Sequence, residues 1–292
     1  MNTPNTNSGA ETEVARKKLG FGFWLCVGWL GAMVFIALFT PLLPLKSPTA
    51  NFLDPSQGRP PYSPSWKHWF GTDKDARDVF ARTMHGARIS LTVGFSAITA
   101  GFLVGGTIGV MSGYFRSWID RVSSFVFVVL LSFPSLVLAI LLTSLIERSL
   151  LTVSLVLGLL SIAPVGRLAR AATLQYSERE FVLAARQIGA KDRHIIVKEI
   201  LPNVAIPMSS LALLGMAVAV VAEGGLAFLG LSVEKGITWG GLIQLGSDAS
   251  KTLEKAPWIS FFPILMLFLT VLSLNFAGDR LRTFFDVKEM TL

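Results

Sequence analysis

Six stretches of this sequence are long, apolar and almost free of charge. They span residues 20–42, 89–111, 122–146, 150–168, 208–231 and 259–276. The hydrocarbon core of a bilayer is about 30 Å thick, and about 17 to 25 helical residues cross it because a helix rises about 1.5 Å per residue. Each stretch meets this requirement, so the pattern predicts an all-α membrane protein with six transmembrane helices.

The composition supports this prediction. Charged residues make up 15% of the 292 residues and apolar residues 52%, whereas soluble domains average about 25% charged. This balance excludes a disordered chain, a disulfide scaffold and an ordinary cytosolic enzyme. The single cysteine, Cys26, lies in the first apolar stretch, so we expect neither an internal disulfide nor a cysteine metal site. We attribute the net charge of +7 to loops beside a lipid bilayer and expect no nucleic-acid partner.

The positions of lysine and arginine predict the orientation. With the N-terminus inside, segments 1–19, 112–121, 167–207 and 277–292 are internal and carry 3, 2, 7 and 3 of the 26 basic residues. Because basic loops favour the cytoplasmic side, both termini are predicted to be cytoplasmic. The predicted organisation is a cytoplasmic tail (1–19), a first transmembrane helix (20–42), an external segment (43–88), a core with five transmembrane helices (89–282) and a cytoplasmic C-terminus (283–292).

No familiar catalytic or metal-binding motif occurs. The sequence contains no G-x-x-x-x-G-K-[ST] phosphate loop, no H-E-x-x-H and no G-x-S-x-G. Its three histidines, His68, His85 and His194, do not have the spacing of metal ligands. We therefore predict that the chain has no catalytic residue, no metal site and no bound cofactor.

Two features within the apolar stretches are unusual. Gly101, Gly105, Gly109 and Gly113 recur at four-residue spacing, which predicts close contact with another helix, either sliding against a second subunit or fixed within the chain. Glu223 is the one acidic residue well inside a stretch, where a charge costs a few kcal/mol. It is predicted to line a translocation path, to brace an outer gate, or to serve as a structural hydrogen-bonding group.

Residues 173–206 form a predicted internal loop with two short helices. Ser177 and Glu180 have the spacing of a capping box at the start of the first helix. Gly189 suits a left-handed cap at its end, and Pro202 is expected to stop the second helix, 191–201. The first helix has a small apolar face that would fit a cleft on another protein, or would lie on the chain's own spans. This face comprises Phe181, Ala184, Ala185 and Ile188.

A second external segment, 232–257, is expected to be an ordered cap. It contains Trp239, and Trp258 follows it directly. Tryptophan is common at membrane interfaces, so anchoring at the lipid headgroups is the alternative prediction for both side chains.

Residues 181–189, followed after nine residues by Glu199-Ile-Leu-Pro202 and Asn203, resemble the EAA loop of ABC importer permeases. Leu183 stands where that pattern has glutamate, and Glu180 is a partial substitute. Further segments resemble the oligopeptide/dipeptide permeases. They are Phe70-Gly-Thr-Asp73 with Arg77-Asp78 and residues 86–91, Gly113-Tyr-Phe with Asp120-Arg121, the stretch from Glu223 to Leu231, Ala256-Pro-Trp258, and the stretch from Asn275 to Arg282.

The resemblance implies a type I ABC importer permease fold with 173–206 as a cytoplasmic coupling loop. It implies a non-enzymatic subunit that carries peptides across the cytoplasmic membrane. The implied partners are a second permease, ATPase subunits that hold ATP and Mg²⁺, and an external binding protein. It places Glu223 and Asn275 on the path or gate, and it assigns the ATPase contact to Phe181, Ala184, Ala185, Ile188, Gly189 and Ala190.

Two alternatives to a peptide importer remain open. The same class of transporter could carry nickel or another small solute. A secondary transporter acting alone is a further possibility, although such proteins use coupling acids near the midplane and repeated or broken helices, and this sequence has one such acid.

Overall fold

The computed structural model describes the backbone of residues 20–247 and 250–289, so the predicted tail 1–19 lies outside the described residues. Within those ranges the fold is helical, and the one β-bridge joins Thr72 to Asp78. Five helices are long and apolar enough to cross a membrane. They are α1 (Gly20–Phe39), α2 (Val79–Phe115), α5 (Leu150–Ser177), α7 (Asp192–Phe228) and α10 (Trp258–Glu289).

The predicted third span, 122–146, is wrong as one continuous helix. Two helices, α3 (Trp118–Ser132) and α4 (Ser135–Leu145), meet there at an angle of 86°, and together they can form a sixth crossing. Phe133 is extended, with φ −90° and ψ 136°, and Pro134 follows it. A proline disfavours helical backbone in the preceding residue and cannot donate a helical hydrogen bond, so the helix breaks at this pair.

Pro202 does not end a helix, contrary to the prediction. It lies inside α7, directly after a π-helical turn over Ile195–Ile200. In that turn the Leu201 N–H donates to the carbonyl of Ile196, and the side-chain Nδ2 of Asn203 donates to the carbonyl of Glu199 over 2.6 Å. A local π turn and nearby side chains thus satisfy the backbone groups that a proline frees.

The shorter elements lie in the connections between the long helices. They are a 3₁₀ turn (Pro55–Gln57), α6 (Glu180–Gln187), α8 (Trp239–Ser247) and α9 (Ser250–Lys255). Helices α2, α5 and α7 pack on one another at the centre, and α10 packs on α7 and α8. Large apolar side chains cover much of the surface of α1 and α3, including Phe21 and Phe125. Such a surface needs lipid or protein partners rather than water.

The glycine row on α2 contacts α5 of the same chain. A methyl group added at Gly101 would lie 2.6 Å from Cβ of Ser161, and one added at Gly113 would lie 2.8 Å from the carbonyl oxygen of Arg170. Gly105 and Gly109 face the carbonyls of Ile162 and Gly166 even more closely. The contact is therefore within one chain, and the two backbones approach as closely as small residues allow.

Candidate functional site

Helix α6 ends in a left-handed turn at Gly189, where φ is 82°. The Gly189 N–H donates to the carbonyl of Arg186 and the Ala190 N–H donates to the carbonyl of Ala185, both over 3.0 Å. These two bonds define a Schellman motif, which satisfies carbonyls at a helix end. A side chain at Gly189 would meet nothing within 4 Å, so the requirement for glycine there is conformational.

The capping box predicted for Ser177 and Glu180 does not form. Ser177 is the last residue of α5, and its Oγ donates to the carbonyl of Leu174 over 3.0 Å. The cap position of α6 is Arg179, whose side chain makes no capping hydrogen bond. Because α5 extends for 28 residues, Ser177 is still helical where the box would need extended backbone.

The predicted apolar face of α6 is divided between the inside and the outside of the chain. Phe181, Ala184 and Ile188 are exposed, and Ile188 retains 86% of its accessible surface. Ala185 is buried with Val182 in an apolar core. At 100° per residue Ala185 lies at the edge of the predicted face, and the chain's own packing takes it inward.

The neighbouring predicted positions are divided in the same way. Ala190 packs against the core that buries Val182, whereas Gly189 and Leu183 are exposed. The outward apolar row of α6 is therefore Phe181, Leu183, Ala184 and Ile188, which we call the outer row of α6. Leu183 extends this row instead of supplying the acid of the family pattern.

Glu223, on α7, is fully buried at the opposite end of the fold from α6. Its Oε2 accepts a 2.8 Å hydrogen bond from the Ser90 hydroxyl on α2. Its Oε1 accepts a 2.8 Å hydrogen bond from the Ser232 hydroxyl, in the segment that follows α7. Among the residues that the structure describes, no lysine or arginine pairs with this carboxylate. Glu223 therefore joins α2, α7 and the following segment through neutral hydroxyl groups.

Segment 232–257, which is predicted to be external, is ordered in its described part, and the two tryptophans form hydrogen bonds within the chain. Trp239 is fully buried, and its indole N–H donates to the carbonyl of Thr83 over 3.0 Å. The indole N–H of Trp258 donates to the carbonyl of Thr72 over 3.1 Å. Both side chains thus connect residues 239–258 to α2 and to the residues that precede it.

An apolar cavity of about 320 Å³ lies between α4, α5, α7 and the middle of α2. Its lining includes Ile98, Leu136, Ala139, Leu157, Pro164, Leu211 and Val218. Neither Glu223 nor Asn275 belongs to the lining of this cavity. The Asn275 side chain donates to the carbonyl of Val271 on its own helix over 2.8 Å. The structure therefore does not bring these two predicted path residues together.

Sequence reasoning missed the polar contacts that hold α6. Tyr114 Oη donates to Asp192 over 2.6 Å, and Arg116 donates to Glu178 over 2.8 Å. Nearby, Arg170 makes a two-pronged ion pair with Asp120, with Nη2 and Oδ2 2.8 Å apart. The partners are 50 to 78 residues apart, and the signals in the sequence were the Gly113-Tyr-Phe and Asp120-Arg121 segments of the family resemblance. No group of three His, Cys, Asp or Glu side chains in the described part of the chain could hold a metal ion.

The structure describes a multi-pass helical membrane protein, with long apolar helices, an apolar outer surface, a cavity between spans and a capped helix with an exposed apolar row. Residues 105–289 match the family described as "Binding-protein-dependent transport system inner membrane component". The chain belongs to this family, whose members are ABC importer permeases of inner-membrane transport systems. It is therefore a multi-pass membrane transport component, as its sequence predicts.

Two curated relatives illustrate the similarity. The dipeptide transport system permease protein DppC of Alkalihalophilus pseudofirmus is 36% identical over 258 residues, which cover 88% of this chain and 83% of the relative. The glutathione transport system permease protein GsiD of Escherichia coli is 34% identical over 226 residues, which cover 77% of this chain and 74% of the relative.

The fold is also found in a solved transporter. A chain of the MetNI methionine ABC transporter, in an inward-facing conformation, superposes with a TM-score of 0.55 at 18% identity. The match covers 70% of this chain and 96% of that chain. The predicted all-helical type I ABC importer permease fold is thus confirmed.

Proposed function

We propose that this chain is one of two permease subunits of an ATP-driven importer that carries peptides across the cytoplasmic membrane. The substrate class is supported by relatives named for dipeptide, peptide and glutathione transport. The similarity extends over 88% of this chain for the dipeptide permease, so it includes both the spans and the loops. The observation that supports coupling to an ATPase is the exposed outer row of α6.

The outer row of α6 has the properties of a docking surface. Phe181, Leu183 and Ile188 are 39%, 46% and 86% exposed, although each is large and apolar. Full burial of such a side chain contributes about 1.5 to 3 kcal/mol, so a partner cleft would bind this row strongly. An eight-residue helix is marginal by itself, and the Schellman motif and the buried Val182 keep it folded for docking.

The division of labour follows from this docking surface. ATP and Mg²⁺ belong to the partner ATPase subunits, and this chain binds no cofactor and hydrolyses no ATP. Closure of the ATPases displaces α6 and changes which side of the membrane the path opens to. The basic residues of 1–19, 167–207 and 277–292 support a cytoplasmic position for both termini and for α6.

The other partners are assigned from the remaining surfaces. A second permease covers the apolar cavity between α4, α5 and α7, and an external binding protein delivers the peptide to the side that carries Glu223 and Trp239. The cavity lining contains no histidine, cysteine or carboxylate, which is the wrong chemistry for a nickel path. Glu223 accepts hydrogen bonds from two hydroxyl groups at the outer end. These bonds favour a structural role for Glu223 rather than the role of a coupling acid in a secondary transporter.

Reconstitution of the complete complex tests the proposal. The chain is purified with its second permease and ATPases, placed in proteoliposomes, and supplied with the binding protein and labelled peptides of graded length. We expect peptide uptake that requires ATP, and ATPase activity that the binding protein stimulates. Uptake driven by an ion gradient with this chain alone would overturn the assignment.

One pair of variants tests the outer row of α6. Ile188→Asp places a charge in the apolar row, and we expect loss of ATPase co-purification and at least about a tenfold loss of uptake, since burying a charge without a partner costs several kcal/mol. His194→Asp is the matched control, because it introduces the same charge at an exposed position that lies outside α6 and its row. Equal behaviour of the two variants would show that the row does not dock.

A further inference from the structure

The inner end of α2 contacts the segment that follows α6. Tyr114 Oη donates a 2.6 Å hydrogen bond to Oδ1 of Asp192, the first residue of α7. The guanidinium of Arg186, in the last turn of α6, lies 5.1 Å from the centroid of the Tyr114 ring. Tyr114 is only 7% exposed, so both contacts are made by a largely buried ring. One side chain of α2 thus binds the end of α6 and the start of α7.

The same end of α2 contacts the segment that precedes α6. Nη2 of Arg116 donates to Oγ of Ser177 over 3.2 Å and to Oε1 of Glu178 over 2.8 Å. Arg116 has left-handed backbone, with φ 48°, and its N–H donates to the carbonyl of Ser112 as the helix ends. A left-handed backbone is unfavourable for a residue with a side chain. Arg116 adopts it at the end of the helix, where its guanidinium bonds Ser177 and Glu178.

Apolar packing joins the two polar contacts. Val110 and Tyr114 of α2 share one buried core with Val182 and Ala185 of α6. Polar contacts therefore connect α2 to the residues before and after α6 and to its last turn, and the inner face of α6 shares an apolar core with α2. The outer row of α6 remains free on the opposite face.

We infer that Tyr114 and Arg116 form an inner clasp that makes α6 and the inner end of α2 move as one body, so that a displacement of α6 by an ATPase is passed directly to the second span. The inner clasp comprises these two residues and their partners Ser177, Glu178, Arg186 and Asp192. The inference rests on the proposed function. Tyr114 and Arg116 are positioning residues, since neither lies on the outer row.

Helix α2 is suited to transmit this displacement. It continues from Phe115 to Val79 through a π-helical segment at Gly101–Gly106, its glycine row packs closely on α5, and Ser90 bonds Glu223. A motion imposed at Tyr114 therefore reaches the outer site through one helix. The exposed Arg116–Glu178 pair contributes little by itself, because surface ion pairs are screened by water, so Tyr114 is the stronger part of the clasp.

A double-mutant cycle tests the stronger part. Tyr114→Phe removes only the hydroxyl group, and Asp192→Ala removes its acceptor. The measured quantity is the number of peptides taken up per ATP hydrolysed in the reconstituted complex, which does not depend on how much complex folds. We expect each single variant to lower this ratio by about tenfold, the scale of one hydrogen bond to a charged group, and the double variant to be no worse than either. The inference would be overturned if the single variants left the number of peptides per ATP unchanged. It would also be overturned if the loss in the double variant equalled the product of the two single losses.

A covalent test follows from the exposed part of the clasp. Cys26 is the only cysteine, so Cys26→Ser provides a cysteine-free chain. Arg116→Cys with Glu178→Cys then permits a short thiol cross-linker to replace the ion pair. If α6 and α2 move together, the cross-linked complex retains coupled uptake at no less than the level before cross-linking. Arrest of uptake by the cross-linker, with ATP binding intact, would overturn the inference.

The two levels of the hypothesis fail differently. If the proposed function is wrong, the unmodified complex does not couple ATP hydrolysis to peptide uptake. If only the clasp is wrong, the unmodified complex is coupled and the clasp variants behave like it, or the cross-linker arrests it.

Discussion

The Ser90 hydroxyl donates a 2.8 Å hydrogen bond to Glu223 across 133 residues of sequence, and it connects the second span to the fifth at their outer ends. The same Ser90 oxygen accepts a hydrogen bond from the backbone N–H of Trp239 over 3.3 Å. Helix α2 is thus bonded at its outer end to α7 and α8, and at its inner end to the segments around α6. Helices α2 and α7 both connect the two sites of this chain, since α7 itself carries Asp192 and Glu223.

Glu223→Ala is expected to destabilise the chain by about 1 to 3 kcal/mol, because two buried hydroxyl groups lose their acceptor. Glu223→Gln retains one carbonyl acceptor and should cost less. The melting temperature of the purified complex in detergent measures both effects. A Glu223→Ala variant as stable as the unmodified chain would show that the hydrogen bonds from Ser90 and Ser232 do not act as a structural brace.

Gly105→Ala is expected to destabilise the chain by about 1 to 3 kcal/mol, because its methyl group would overlap the carbonyl of Ile162 on α5. Gly106→Ala is the matched control, since a methyl group there meets nothing within 4 Å. The control should be neutral or slightly stabilising, as alanine is the better helix former. The melting temperatures of the two variants separate overpacking from helix propensity. Equal changes in melting temperature would contradict the close contact between Gly105 and Ile162.

Substitutions at Gly189 should follow the order of left-handed propensity. Asn tolerates a positive φ, Ala pays about 1 to 2 kcal/mol, and a β-branched residue is worse. Because the space around Gly189 is open, size alone predicts no such order. We expect uptake by the reconstituted complex to fall from Gly189→Asn through Gly189→Ala to Gly189→Val. A ranking by side-chain volume, with Ala best, would contradict a conformational requirement.

Arg170→Lys is expected to weaken the junction between α5 and the start of α3, since lysine cannot form the two-pronged pair that Arg170 makes with Asp120. The loss should be about 1 kcal/mol, because both side chains are partly exposed and water screens them. The melting temperature measured across a series of salt concentrations tests this. A difference between variant and parent that does not shrink at high salt would contradict an ionic origin.

Local features of the sequence predicted much of the architecture. The apolar stretches located the spans, and the glycine row predicted a close helix contact that the structure places on α5. The left-handed turn at Gly189 was also predicted, because a glycine after a short helix is a local signal. The break at Pro134 could have been predicted in the same way, because a proline disfavours helical backbone in the residue before it.

Two of the errors concern helix ends. Ser177 was predicted to cap α6, but α5 extends through it because its inner end packs against Tyr114 and the core around Val182. Pro202 was predicted to stop a helix, but a π turn and the Asn203 side chain supply hydrogen bonds there. In the first case contacts outside the local segment outweighed a local signal, whereas in the second the helix continues through bonds between near neighbours in the sequence.

The sequence by itself determined that this chain crosses a membrane and belongs to a permease family, because hydropathy and motif spacing are properties of neighbouring residues. Only the tertiary structure decided which side of α6 faces outward, that Glu223 is bonded to Ser90, and that Tyr114 reaches Asp192. Those pairs join residues 78 and 133 positions apart, and a single sequence carries no periodic signal for them. They form because buried polar groups must find partners once the helices have packed.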